Sequence, residues 1–330
     1  AAIGCIVAPL FVNQPNADPL GLLLYVFALS AGLLLVVFMT QWRFVSLTLL
    51  IGVTLQHSLL LTTNAVDDTV LWFFVVVFTA LFFTAASVTI LRTLKLEPID
   101  ITVFGILGVQ FWFFAATVGL FPAIAMFIAA AVTAGVGYLA RQRGAGVDVV
   151  SLYAAFSMAG VLIGTSYLFD GFTLTIAYAL EALVVTILAV RVAQSPRSVS
   201  VASATFLLPL YFGFIDLTSN AWDEGVVHPE GLAVLLVSLS VGVAAWYLTH
   251  KAVVNNPLPW LQNLAASMAF AWYVFSVATL FVVSYALETK LFTAESLSTV
   301  FSLVLMALLV GLMVKTVPWQ SWRTTALWSG

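Results

Sequence analysis

The residue hardest to reconcile with its surroundings is Glu181, inside the apolar run TIAYALEALVVTIL (175–188). It lies eight residues into the expected span 173–192, about 12 Å along a helix from its outer start. An ionisable group at such depth is costly unless paired or neutralised, and is a functional hypothesis by default. Its chemistry would be that of a proton or cation site, or of the acid in an enzyme acting on lipid. The plainer reading, which is favoured, is a protonated or hydrogen-bonded Glu tying its helix to a neighbour. His57, beside Gln56, lies about five residues from the outer end of another apolar run. It could pair with Glu181, line a proton path or ligate a pigment or haem, but a hydrogen-bonded packing histidine is favoured. Gln110 and Asn263 read as hydrogen-bonding glue between helices. Asp170, Asp216, Asp223 and Glu224, with Glu230, are expected to form an acidic outer surface. They could hold divalent cations or act as general acids and bases. No two have the spacing of a metal site, and solvated loop ends are the favoured reading. The chain carries no Walker loop, GxGxxG, HExxH, nucleophile elbow or CxxC pair, and Cys5 is its one cysteine. No cofactor or metal is expected, and an enzyme is the less favoured class.

The elements that must position these residues are apolar helices. Of 330 residues 63% are hydrophobic and 8% charged, whereas a soluble chain is nearer one quarter charged. Too few charges are present to cover a water-soluble surface, and the net charge of −3 leaves no broad basic face for nucleic acid. Crossing the hydrocarbon core takes roughly 20 apolar residues. Eleven such runs are expected to be spans: 19–38, 45–62, 70–91, 101–119, 122–140, 149–168, 173–192, 201–216, 230–249, 261–286 and 295–315. They do not alternate apolar with polar as barrel strands do. The expected fold is all-α, a polytopic transmembrane helix bundle of sequential antiparallel hairpins with no soluble domain.

Charge placement supports the count. The loops after odd-numbered spans hold Arg43, Arg92, Lys95, Arg141, Arg143, Arg191, Arg197, Lys251, Lys315 and Arg323, ten of eleven basic residues; Lys290 alone lies opposite. Basic loops face the cytoplasm. The expectation is a cell-membrane protein, bacterial inner-membrane in type, with basic loops and C-terminus cytoplasmic. Ten of fourteen acids fall on the other side. Glu97, Asp100 and Asp148 share the basic side, and Glu181 remains within a span.

Residues 1–12 are apolar but too short to cross, about 18 Å as a helix. They read as a partial or half membrane segment, and the rest, 13–330, as a single bundle. The chain as given is expected to start inside a membrane segment and to continue upstream. Tight outward turns are expected at Leu120–Phe121–Pro122 and Phe169–Asp170–Gly171–Phe172, and longer loops at 217–229 and 250–260. Runs 149–192 and 261–315 look weakly alike, as a duplicated hairpin would. Gly160–Gly164, Ala131–Gly135, Ser238–Gly242 and Ala307–Gly311 are small-residue pairs at helix-contact spacing. The partners expected are the lipid bilayer and, through such faces, other membrane proteins. The aromatic cluster of spans 3 and 4 (Trp72, Phe73, Phe74, Phe78, Phe111, Trp112 and neighbours) reads as lipid-facing surface, and Trp319, Trp322 and Trp328 as an interface belt.

One segment carries a resemblance. FDGFTLTIAYALEALVVTILAVRV (169–192) resembles a bacterial "predicted membrane protein" family, domain of unknown function 2339. There a short Asp-Gly turn leads into a helix bearing Trp-Ala-Leu-Glu; here the element is Tyr178–Ala179–Leu180–Glu181, with Tyr for Trp. Residues 1–35 are similar to the family's opening, with Ala8–Pro9 and Asp18–Pro19–Leu20 in its Pro and Asn-Pro-Leu places. SYALETKLF (284–292) resembles a second acidic turn, Glu288 matching its acid. The resemblance implies a longer protein with further spans before and after, and no assigned reaction.

Three functions fit the residues. A structural or accessory component of a membrane complex predicts a packed bundle with Glu181 satisfied locally. A transporter or channel for an ion, small solute or lipid predicts a polar path through Glu181 and broken helices near the midplane. An enzyme acting on a lipid-linked substrate predicts an outer cleft where Asp170, Asp216 and loop 217–229 converge. The poverty of polar residues within the spans favours the first.

Overall fold

A computed structural model describes residues 19–40, 42–63, 66–193, 196–218, 229–254 and 259–291. Among them the secondary structure is helical, with no strand. Nine helical segments are long and apolar enough to cross a membrane. They correspond to the first nine expected runs. The tenth run falls within helix Pro259–Leu291. The eleventh, the segment 1–12, the pair Ala307–Gly311 and the three C-terminal tryptophans lie outside the described residues, so the count of eleven is not established. The helices are apolar on exposed and buried faces alike: Leu35, Phe44, Val109 and Tyr211 are exposed while Leu49, Val75 and Val241 are buried. That pattern suits helices surrounded by lipid or protein rather than by water.

Contacts divide the chain into two units, Ala1–Tyr167 and Leu168–Gly330. The first holds α1 (Pro19–Thr40), α2 (Arg43–Thr63), α3 (Asp68–Thr93), α4 (Pro98–Val118), α5 (Pro122–Gln142) and α6 (Val147–Leu168). Local sequence sets the ends. Asp67 caps α3 by accepting the Thr69 N–H at 2.9 Å. Proline opens α4 and α5, where its missing N–H is not needed. The expected tight turn at Leu120–Phe121–Pro122 is present, with Phe121 in the left-handed region (φ 52°). α4 packs on α3 and α2, and α1 on α3. The aromatic cluster divides: Trp72, Phe74, Phe78, Phe82 and Phe114 are core, while Phe73, Trp112 and Phe113 are exposed. The expectation that this cluster is lipid-facing therefore fails for half of it. Alternate helix faces carry the rings, and the inner face becomes core once α1, α2 and α4 surround α3. The Gly160–Gly164 pair is used inside this unit. A Cβ on Gly160 would come within 3.1 Å of Ala130 Cβ, and one on Gly164 within 3.1 Å of the Phe127 ring, so α5 and α6 approach closely. Ala131–Gly135, by contrast, is exposed, and nothing lies within 4 Å of a Cβ at Gly135.

The second unit holds α7 (Gly171–Leu188) running into a π turn at Ala189–Ala193, α8 (Pro196–Ala204), α9 (Leu207–Thr218), α10 (Pro229–Val254) and α11 (Pro259–Leu291). α10 is its centre and packs on α7, α9 and α11, with Val234, Val237, Val241 and Ala244 fully buried. Ser238–Gly242 serves the α10–α11 crossing. Ser238 Oγ lies 2.8 Å from Ser276 Oγ, and a Cβ on Gly242 would reach 2.9 Å from the Trp272 indole nitrogen. The expected continuous span 201–216 is instead two helices. Thr205 N–H and Phe206 N–H bond three residues back, to Ala202 and Ser203, and α9 restarts at Leu207. Pro209 gives the reason. In an unbroken helix its ring would clash with the carbonyl four residues earlier, at Thr205. The break places Pro209 in the first turn of α9, where no donor is required.

Candidate functional site, a buried polar line along α2 and α4

α2 and α4 are separated in sequence by α3, yet they lie side by side and run parallel. Their contacts keep a nearly constant offset: Arg43 meets Asp100, Thr54 and His57 meet Gln110, and His57 meets Phe114. Two polar clusters sit on this seam, about 15 Å apart along α4.

At one end the Arg43 guanidinium hydrogen-bonds and ion-pairs with Asp100 through Nη1 and Oδ2. Arg43 Nη2 donates to Thr93 Oγ1 at 3.0 Å, and Glu97 Oε1 lies 3.6 Å from Nη1. Arg43 is 7% exposed and Asp100 3%. Asp100 is at the third position of α4, where its carboxylate also accepts the Glu97 N–H at 2.9 Å, one half of a capping box. Arg92, at the end of α3, donates to Phe38 O at 3.3 Å and stands 4.4 Å over the Phe38 ring. Charges from α2, α3 and α4 thus gather at one end of the unit and fasten it to α1.

Deeper along the seam, His57 is fully buried. Its Nδ1 lies 3.1 Å from Gln110 Nε2, and Gln110 Oε1 lies 2.8 Å from Thr54 Oγ1. Phe78 and Phe114 meet the imidazole edge to face, with centroids 5.1 and 5.9 Å away. The structure therefore joins two of the three intramembrane candidates, His57 and Gln110, and adds Thr54. Sequence reading missed Thr54, because threonines in apolar helices usually bond their own backbone, as Thr54 also does with Leu50 O at 2.8 Å. It also treated Arg43 and Asp100 as loop residues. A signal was present, since Asp100 is one of only three acids on the basic side and needs a partner there.

In the second unit Glu181 is half-buried on α7 and engaged by its surroundings. Asp216, at the end of α9, accepts a hydrogen bond from Thr175 Oγ1 at 2.7 Å, tying α9 to the start of α7. Asp170 is exposed just before α7, and its side chain makes no capping bond. Asp223 and Glu224 lie outside the described residues, and so does the convergence expected of loop 217–229. Among the described residues no group of three His, Cys, Asp or Glu side chains is placed to hold a metal. Compared with known proteins, the chain matches no family model, no curated protein and no solved structure.

Proposed function

We propose that this chain is a structural or accessory component of a membrane assembly, a multi-pass bundle held by polar contacts between helices. One observation carries the reading: Arg43 and Asp100, and Thr54, His57 and Gln110, meet in two hydrogen-bonded clusters across the α2–α4 seam. Arg43 is taken up by Asp100, Glu97 and Thr93, and Gln110 by Thr54 and His57. In lipid such contacts fasten helices. The sidedness of basic residues supports a cell membrane of bacterial inner-membrane type, with the basic loops cytoplasmic. The resemblance of 169–192 to the domain of unknown function 2339 family belongs to the same proposal. Purification of the tagged chain in mild detergent tests it. A partner membrane protein recovered in fixed ratio is the expected result; a monodisperse chain without partner from its native membrane would count against it.

A second reading, a path for an ion or small solute, is favoured by the break between α8 and α9, midway along an apolar span and packed on the helix that bears Glu181. Proteoliposomes separate the two. Proton or cation flux in the wild type that Glu181→Gln abolishes would establish the path. Equal leak in both proteins would leave the structural role.

A further inference from the structure

Basic residues are used differently in the two units. In the first, Arg43 is taken up by Asp100, Glu97 and Thr93, and Arg92 by the carbonyl and ring of Phe38. In the second, α7 and α10 pack on one another, and the two apolar spans built on them close at Arg191 and at Lys251. These two ends meet at Tyr247. Arg191 Nε donates to the Tyr247 hydroxyl at 3.2 Å, and Lys251 Nζ stands 6.0 Å from the centre of the same ring. The Nη groups of Arg191, the Lys251 ammonium and the Tyr247 O–H have no acceptor among the described residues. Nor does the adjoining sequence supply one of opposite charge, since segments 189–204 and 248–262 contain no Asp or Glu. In the same turn of α10, Trp246 is 54% exposed and its ring stacks on His250 with centroids 5.7 Å apart. An exposed indole at the end of an apolar span marks the level of the lipid headgroups.

We propose that Arg191, Tyr247 and Lys251, where α7 meets α10, bind the phosphate of an anionic phospholipid headgroup. The proposal rests on the reading of the chain as a multi-pass membrane protein and adds a ligand to it. The Arg191 guanidinium is anchored through Nε, which leaves its outer N–H groups to hold two phosphate oxygens in parallel bonds. Lys251 adds a compact charge, and the Tyr247 O–H a neutral donor. Basic sites between helices on the cytoplasmic side take such headgroups, and each cation near the surface strengthens the attraction. A lipid is favoured over an acidic protein segment because both cations close apolar spans, at the level where lipid phosphates already lie.

Native mass spectrometry of the full chain in mild detergent, titrated with phosphatidylglycerol or phosphatidylcholine, tests this. The expected result is tighter binding of phosphatidylglycerol, weakened about fivefold by Lys251→Gln and roughly thirtyfold when Arg191→Gln is added. Arg92→Gln, which removes a cation already taken up by Phe38, should leave that binding unchanged. Equal binding of the two lipids, or an equal loss in Arg92→Gln, overturns the proposal while leaving the membrane reading intact. Binding of neither lipid overturns both. Displacement of phosphatidylglycerol by an equal concentration of inorganic phosphate also overturns it, in favour of a free anion. So does a double variant that sheds a co-purifying acidic protein yet keeps its phosphatidylglycerol. Should the double variant fail to stay monodisperse, Lys251→Gln alone decides.

Discussion

Arg43 occupies the first position of α2, where the helix dipole disfavours a positive charge. Asp100 occupies the first turn of α4, where the same field favours its carboxylate. The pair is therefore asymmetric: the acid is stabilised by its own helix and in turn holds the arginine. Removing one partner from a buried ion pair strands the other and typically costs about 3–5 kcal/mol. Asp100→Ala should lower unfolding stability by that order in mixed micelles, by denaturant titration. Asp100→Asn, which keeps an acceptor for the Glu97 N–H and for Arg43, should lose clearly less. Equal losses would mean that the charge, not the hydrogen bonds, carries the contact. Asp100 was legible as an acid on the basic side of the chain. Its partner was not, because a residue 57 positions away becomes a neighbour only when α2 and α4 pack in parallel.

Small residues and proline do their work in the elements. Gly160 and Gly135 look alike in sequence, each heading or closing a small-residue pair in an apolar helix. Only Gly160 faces another helix, with Ala130 and the Met126 carbonyl against it. Gly160→Leu should destabilise the α5–α6 contact by about 1–3 kcal/mol, as overpacking does, whereas Gly135→Leu should stay within about 0.5 kcal/mol. Thermal unfolding of both variants in detergent compares them directly. The break between α8 and α9 is assigned to Pro209. Spin labels at Ser200 and Tyr211 should therefore move apart in Pro209→Ala, toward the roughly 16 Å rise of eleven residues in one continuous helix. An unchanged separation by pulsed electron resonance would place the cause in packing against α7 and α10. Sequence reading found the apolar run but joined its halves, since hydropathy is blind to where the backbone hydrogen bonds change partner.

For the molecule as a whole, the distribution of charge makes a statement about sidedness that can be tested. In a Cys5→Ser background, a cysteine at Arg143, between α5 and α6, should react with impermeant thiol reagent only after the cells are opened. One at Asp170, just before α7, should react in intact cells. Both positions are exposed. The reverse pattern would invert the orientation, and reaction at both without opening would deny that α6 crosses. The chain also resolves into two units, each with its own core. Hydropathy gave no hint of that division, because apolar runs on either side of residue 167 are alike in composition.

What the sequence by itself determined was the existence of the described helices and their apolar character. Those properties depend on residue type and on distances of a few turns along one chain. The approach of particular helices was decided by tertiary structure alone. It selected which glycines are contacts, which half of the aromatic cluster is core, and that His57 and Thr54 meet Gln110 while Arg43 meets Asp100. The physical reason is that an apolar helix in lipid gains little from hiding one face rather than another. Register and partner are then fixed by shape and by a few polar bonds, and those form only between residues brought together by the fold.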